Sequence, residues 1–148
     1  MTGAQITFRR TINASIDAMR GTVDDVMAFF NQGFGELDDA SRYELKVVLN
    51  ELIINAIRHG CKNDMRRRVS VVARLSRDGE ASLAVEDDGD GYDAAALAKD
   101  IEAPRLEAIG DIAESGRGLA IVRNLCERFQ VNAKGNKVVV VMRLSRRL

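Results

Sequence analysis

Between Arg42 and Gly60 the chain reads RYELKVVLNELIINAIRHG, with apolar residues at Leu45, Val48, Leu49, Leu52, Ile53 and Ala56. This spacing predicts an amphipathic helix with one broad apolar face. Glu51, Asn55 and His59 stand four residues apart, so they stack as a polar stripe along one flank of that face. A carboxylate and an amide in a nearly all-apolar helix are costly to bury. The stripe is either the polar edge of a core helix or part of a site. The expected start is Asp38, or Ser41 with Glu44 as a capping box. The expected stop is His59-Gly60, with glycine as the C-terminal residue.

The same patterning organises the rest of the chain. Gln5 to Ile12 alternates loosely, with Ile6, Phe8 and Ile12 against polar neighbours, and predicts an edge strand. Ser15 is the expected N-cap of a helix carrying Ile16, Met19, Val23, Val26, Met27 and Phe30 and ending near Gly33. Val69, Val71, Ala73 and Leu75 alternate, Asp78-Gly79 forms a turn, and Ala81 to Glu86 returns, which predicts a hairpin. Tyr92 to Ser115 is weakly patterned, with Asp93 capping a short helix through Ile101 before the single proline, Pro104. It is either a mobile lid or an ordinary surface excursion. A helix then opens at Gly116-Arg117-Gly118, with Leu119, Val122, Leu125, Cys126 and Phe129 as its core face. Val131 to Lys134, a turn at Gly135-Asn136, and Lys137 to Leu144 close the chain. The last strand is apolar on both sides over Val138 to Met142, which predicts a central position. The order β-α-α-β-β-(lid)-α-β-β predicts an α+β fold. It would be a two-layer sandwich with a mixed, mostly antiparallel sheet and helices on one face, in one domain over 1–148.

Composition narrows the function. Formal net charge is zero, with 22 acidic residues against 22 Lys and Arg, which argues against binding nucleic acid or a membrane surface through bulk charge. No apolar run approaches the roughly 20 residues of a membrane span, and MTGAQITFRR has no apolar signal region. Cys61 and Cys126 lie outside any CxxC pattern and read as reduced thiols of a cytoplasmic protein. With one histidine in the chain, a histidine-built metal site has little to draw on. Arg66-Arg67-Arg68 is either a solvated loop or a phosphate or partner contact.

Two glycine motifs carry candidate chemistry. Asp87-Asp88-Gly89-Asp90-Gly91 places an acid at a strand end, with glycines that let backbone approach a ligand. A carboxylate only accepts, so it would pair with a donor such as an exocyclic amine; adenine offers one, whereas guanine offers a carbonyl there. Gly116-Arg117-Gly118 opens a helix whose free N–H groups favour an anion. Neither motif fits a phosphate-binding P-loop or a dinucleotide fingerprint.

ExxxN on a helix, then DxGxG, then GxGL resembles the N box and glycine boxes of the GHKL ATPase superfamily, which includes gyrase, MutL and the histidine kinases. NELIINAIRHG, DDGDGYD and SGRGLAIVRNLCERF, in this order, resemble more narrowly the anti-sigma-factor serine kinases of the RsbW and SpoIIAB type. The likeness covers nearly the whole chain. It implies ATP and Mg2+ as cofactors, with Glu51 as general base on a serine hydroxyl or a water. It implies that Asn55 holds the magnesium and that Asp87 takes the adenine amine beside Gly89 and Gly91. Gly116, Arg117, Gly118 and Leu119 would close on the phosphates beneath a lid at about 92–115. The implied partners are a small STAS-type anti-sigma-factor antagonist, a sigma factor and a second copy of the chain. His59 matches a position of the N box and is not expected to be a phosphoacceptor; a histidine-kinase phosphoacceptor segment has no room here. The alternatives are a nucleotide-gated binding module without useful phosphotransfer and a stand-alone histidine-kinase-type ATPase. One departure stands out. The family usually has Gly-Thr near its last strand, and Gly135-Asn136 here puts one adenine-side contact in doubt.

Overall fold

The computed structural model describes residues 5–89 and 118–148. β1 (Ile6–Asn13) leads through α1 (Ile16–Phe34) and α2 (Asp39–Asn55) to the hairpin β2 (Arg68–Leu75) and β3 (Glu80–Asp87); α3 (Gly118–Leu125), β4 (Arg128–Val131) and β5 (Lys137–Arg143) follow. The sheet order is β1-β2-β3-β5-β4, and the three described helices form one layer against it. The two-layer α+β architecture is therefore the one expected. Every described strand pairing is antiparallel, so the parallel component of a mixed sheet does not occur among the described strands.

Strand alternation builds the sheet side of the core. Val69, Val71, Ala73 and Leu75 of β2 face the helices, beside Ala81, Leu83 and Val85 of β3 and Val138, Val140 and Met142 of β5. Phe30 and Val26 of α1, Leu45, Leu49 and Ile53 of α2, and Leu119 and Val122 of α3 are fully buried opposite them. β1 is an edge strand as expected, with only Ile12 buried; Arg9 and Arg10 on it discourage edge-to-edge pairing.

Several boundaries differ from the sequence expectation. α1 runs past Gly33 and stops at Gly35, whose φ of 103° is left-handed. Gly33 instead provides space, since a Cβ there would lie 2.6 Å from Ile6 Cδ1. The cap of α2 is Asp38, which accepts from Ser41 N–H at 2.8 Å. The Ser41–Glu44 capping box does not form, because Ser41 Oγ accepts from Ser145 N–H at 2.8 Å. α3 ends at Leu125, and Phe129 lies in β4 rather than on the helix. β5 is paired on both sides, yet only alternate residues are buried; Val139 and Val141 face the side of the sheet that no described helix covers.

Candidate functional site

α2 carries its polar stripe to its C-terminal end, where the hydrogen-bond ladder changes. The α-helix ends at Asn55 and Ala56–Gly60 form a π-turn, with Cys61 N–H donating to Ala56 O at 2.8 Å. Such turns concentrate at functional sites. Lys62 and Asn63, with φ of 53° and 59°, redirect the chain. The left-handed positions expected at a glycine stop are thus taken by these two residues.

Gly60 has a different task, which is to make room. A Cβ at Gly60 would lie 2.0 Å from Asp87 Oδ2, and one at Gly89 would lie 1.9 Å from Gly60 O. The π-turn and the loop after β3 therefore interlock through two glycines, with the Asp87 carboxylate held at the junction.

Asp87 is the last residue of β3. Alternation turns it to the helix side with Val85, and only 6% of it is exposed. Gly89 N–H donates to its Oδ1 at 2.9 Å, the one hydrogen bond that the carboxylate receives among the described residues. Burial pushes its pKa up; the Gly89 bond opposes this and the neighbouring Asp88 adds to it. A desolvated carboxylate with accepting capacity left over is a receptor for a hydrogen-bond donor.

The surrounding loops fix the main chain here. Asp87 N–H donates to Asn136 O at 2.9 Å, and Asn136 Nδ2 donates to Asp87 O at 2.9 Å. Arg68 N–H donates to Asp88 Oδ1 at 2.9 Å and Arg67 Nη1 to Asp88 O at 2.8 Å. Arg66 forms a two-pronged pair with Asp64, at 3.0 Å on each prong. Arg67 and the Arg68 backbone thus tie this loop to Asp88, while Arg66 pairs within its own loop. Asn136, where the sequence departs from the expected threonine, contacts the backbone of Asp87. Sequence reading missed this role, and the only signal was the position of Asn136 in the turn before the last strand.

Glu51 and Asn55 lie on the last turns of α2, ahead of the π-turn. Glu51 is half-buried; desolvation raises its pKa and the Arg58 cation opposes the rise. That shift brings a carboxylate closer to the range useful for a general base. Asn55 Oδ1 is buried and accepts no hydrogen bond among the described residues. An orphaned amide oxygen is a suitable ligand for a hard cation such as Mg2+, which commonly takes one or two protein oxygens and completes its shell with phosphate and water. Among the described residues no group of three His, Cys, Asp or Glu could hold a metal, so any ion at Asn55 would need that outside completion. Gly118 and Leu119 are buried at the described start of α3, which packs on α2. Gly91, Gly116, Arg117 and the expected lid at 92–115 lie outside the described residues. Cys61 and Cys126 are free thiols, and burial pushes them up to about 11 and about 12, so neither is a reactive thiolate. No described helix is long and apolar enough to cross a membrane.

Known proteins resemble this chain in sequence. The family described as histidine kinase-like ATPase domain matches residues 12–143. An anti-sigma F factor of Geobacillus kaustophilus (strain HTA426) is 32% identical over 119 residues, covering 78% of this chain and 75% of the relative. One from Oceanobacillus iheyensis is 28% identical over 127 residues, covering 82% and 81%. One from Shouchella clausii (strain KSM-K16) is 32% identical over 88 residues, covering 60% of this chain and 58% of the relative.

Proposed function

We propose, from the premise that the chain belongs to the histidine kinase-like ATPase family, that it is an ATP-dependent protein serine kinase of the anti-sigma-factor type. The observation that carries the reading is the junction at the end of α2. There a buried, under-donated carboxylate at Asp87, an orphaned oxygen at Asn55 and a desolvated carboxylate at Glu51 lie on interlocked elements.

In this reading Asp87 accepts the adenine amine against the wall made by Gly60, Gly89 and Gly91. Gly116, Arg117, Gly118 and Leu119 bind the phosphate end. Asn55 holds Mg2+, which supplies neutralisation of charge on the phosphates when bound. Glu51 takes the proton from the serine hydroxyl of a small STAS-type antagonist. The serine oxygen forms its bond to the γ-phosphorus as the bond to the β-phosphate oxygen breaks, and ADP leaves. The relatives' name, anti-sigma F factor, supports a sigma factor as the second protein partner, with a cytoplasmic setting for both. Pairing with a second copy belongs to the same reading. The sheet face that no described helix covers, where Arg9, Val72, Ala84 and Val139 align in one row, is the surface proposed for it.

The test is transfer of label from γ-labelled MgATP to protein in a cytosolic extract of the source organism, with wild type and Glu51→Ala side by side. The reading expects a small protein labelled on serine by wild type alone. No Glu51-dependent label, with ATP binding intact by calorimetry, would instead make the chain a nucleotide-gated binding module. Label that is lost in acid but stable in base would mark histidine rather than serine as the acceptor.

A further inference from the structure

The turn between β4 and β5 reaches the main chain of Asp87 through two asparagines. β3 and β5 pair regularly as far as Glu86 opposite Lys137. One residue further, a side chain completes the ladder. Asp87 N–H donates to Asn136 O, but Asn136 N–H points into the hairpin and donates to Asn132 Oδ1 at 3.0 Å. Asp87 O receives its hydrogen bond from Asn136 Nδ2 instead, at 2.9 Å. Asn136 Oδ1 in turn accepts from Asn132 Nδ2 at 2.7 Å, and Asn132 Oδ1 also accepts from Lys137 N–H at 3.2 Å. Gly135, at φ 78°, lets the turn close.

The relay has a direction. An amide has one donor end and one acceptor end, so the bond from Asn132 fixes which end of Asn136 meets Asp87. A reversed Asn136 would set its oxygen against Asp87 O. Asp87 is the terminal residue of its strand, and strand ends open more easily than strand centres. Its carboxylate has one donor among the described residues, Gly89 N–H, and the site between the two glycines tolerates little displacement.

We propose that Asn132 and Asn136 are a positioning pair for the Asp87 carboxylate and thereby set how strongly the site selects a ligand amine. The inference rests on the reading of Asp87 as the amine acceptor. Neither asparagine need touch the ligand; both act through the backbone of Asp87.

The experiment titrates the full chain with ATP and with purine riboside triphosphate, which lacks only the exocyclic amine. Wild type, Asn136→Ala and Asn132→Asp are compared by calorimetry. Asn132→Asp keeps the acceptor for the N–H groups of Asn136 and Lys137 but loses the donor that orients Asn136, so it carries the test even if Asn136→Ala fails to fold. Wild type should prefer ATP over the amine-free analogue. Both variants should lose about tenfold of that preference, the scale of one hydrogen bond. The loss should fall on ATP, with the affinity for the analogue unchanged. Equal weakening of both nucleotides would mean a structural role only, and an unchanged preference would mean no role; either overturns the proposal. A wild type that binds both nucleotides equally would overturn the Asp87 reading itself, and the positioning role with it.

Discussion

The two ends of α2 are built to different standards. At the N-terminal end Asp38 caps the helix, Ser41 Oγ accepts from Ser145 N–H, and Asp38 N–H donates to Ser145 O. Arg147 pairs with Asp39 and Glu36, and the Arg146 guanidinium lies 4.2 Å from the centre of the Phe34 ring. The chain's last residues thus act as a strap, and the polar groups meet partners. At the C-terminal end the ladder breaks into a π-turn, Asn55 Oδ1 has no hydrogen-bond partner among the described residues, and two carboxylates are desolvated. Buried groups left short of partners lower stability; in the proposed reading they are bonding capacity reserved for a ligand. In that reading, one helix serves as a fastener at one end and as half of a receptor at the other.

The comparison breaks most visibly at Glu51. Glu51→Gln keeps the shape and removes the proposed base, so phosphotransfer should fall by about 10²–10⁴-fold, while the melting temperature stays level or rises. In wild type the rate should climb with pH through a carboxylate pKa above the usual 4.5, because desolvation raises it; a flat profile in Glu51→Gln would tie that limb to this residue. Next comes Gly60→Ala, whose Cβ would sit 2.0 Å from Asp87 Oδ2. Forcing a methyl group into that contact should cost about 1–3 kcal/mol in urea unfolding and abolish ATP binding, because the carboxylate must move. Smallest is the other end, where Asp38→Ala should cost about 1 kcal/mol and leave ATP affinity as it was. A fall in ATP affinity in that variant would show that the two ends are not independent.

The fold was largely legible because its periodicities are clean. Period-2 runs at Val69–Leu75 and Ala81–Val85 gave the hairpin, and the apolar faces of α1 and α2 gave the helix layer. Boundaries were less legible where a residue serves tertiary contact rather than local structure. Ser41 looked like a cap but bonds to Ser145, which is 104 residues away. Gly33 looked like a helix stop but lies inside α1, and Gly60 does end the helical run; each is small because another element presses on it. β5 looked buried on both faces because valine suits a half-exposed strand as well as a core. In the site, Glu51, Asn55, Asp87 and Gly89 could be picked out by spacing and residue chemistry. The π-turn could not, since nothing local in Ala56–Gly60 distinguishes it from a regular helical turn. Asn132 and Asn136 were hidden because their function depends on which strand lies beside them.

The most direct test of a receptor end with reserved bonding capacity is the melting temperature of wild type and Asp87→Asn at pH 7, with and without MgATP. The folded-state pKa of Asp87 is raised above the ordinary 3.8. The folded state therefore holds this proton more tightly than the unfolded chain does, and stability falls as pH rises through that interval. The penalty is present once the pH lies above the raised folded-state value. An asparagine carries no charge and still offers an oxygen to Gly89 N–H. The account predicts a higher melting temperature for Asp87→Asn without nucleotide, by about 3 °C for each kcal/mol relieved, and loss of the ATP-induced rise expected of wild type. A variant that melts lower than wild type without ATP, or that ATP still stabilises fully, would contradict it.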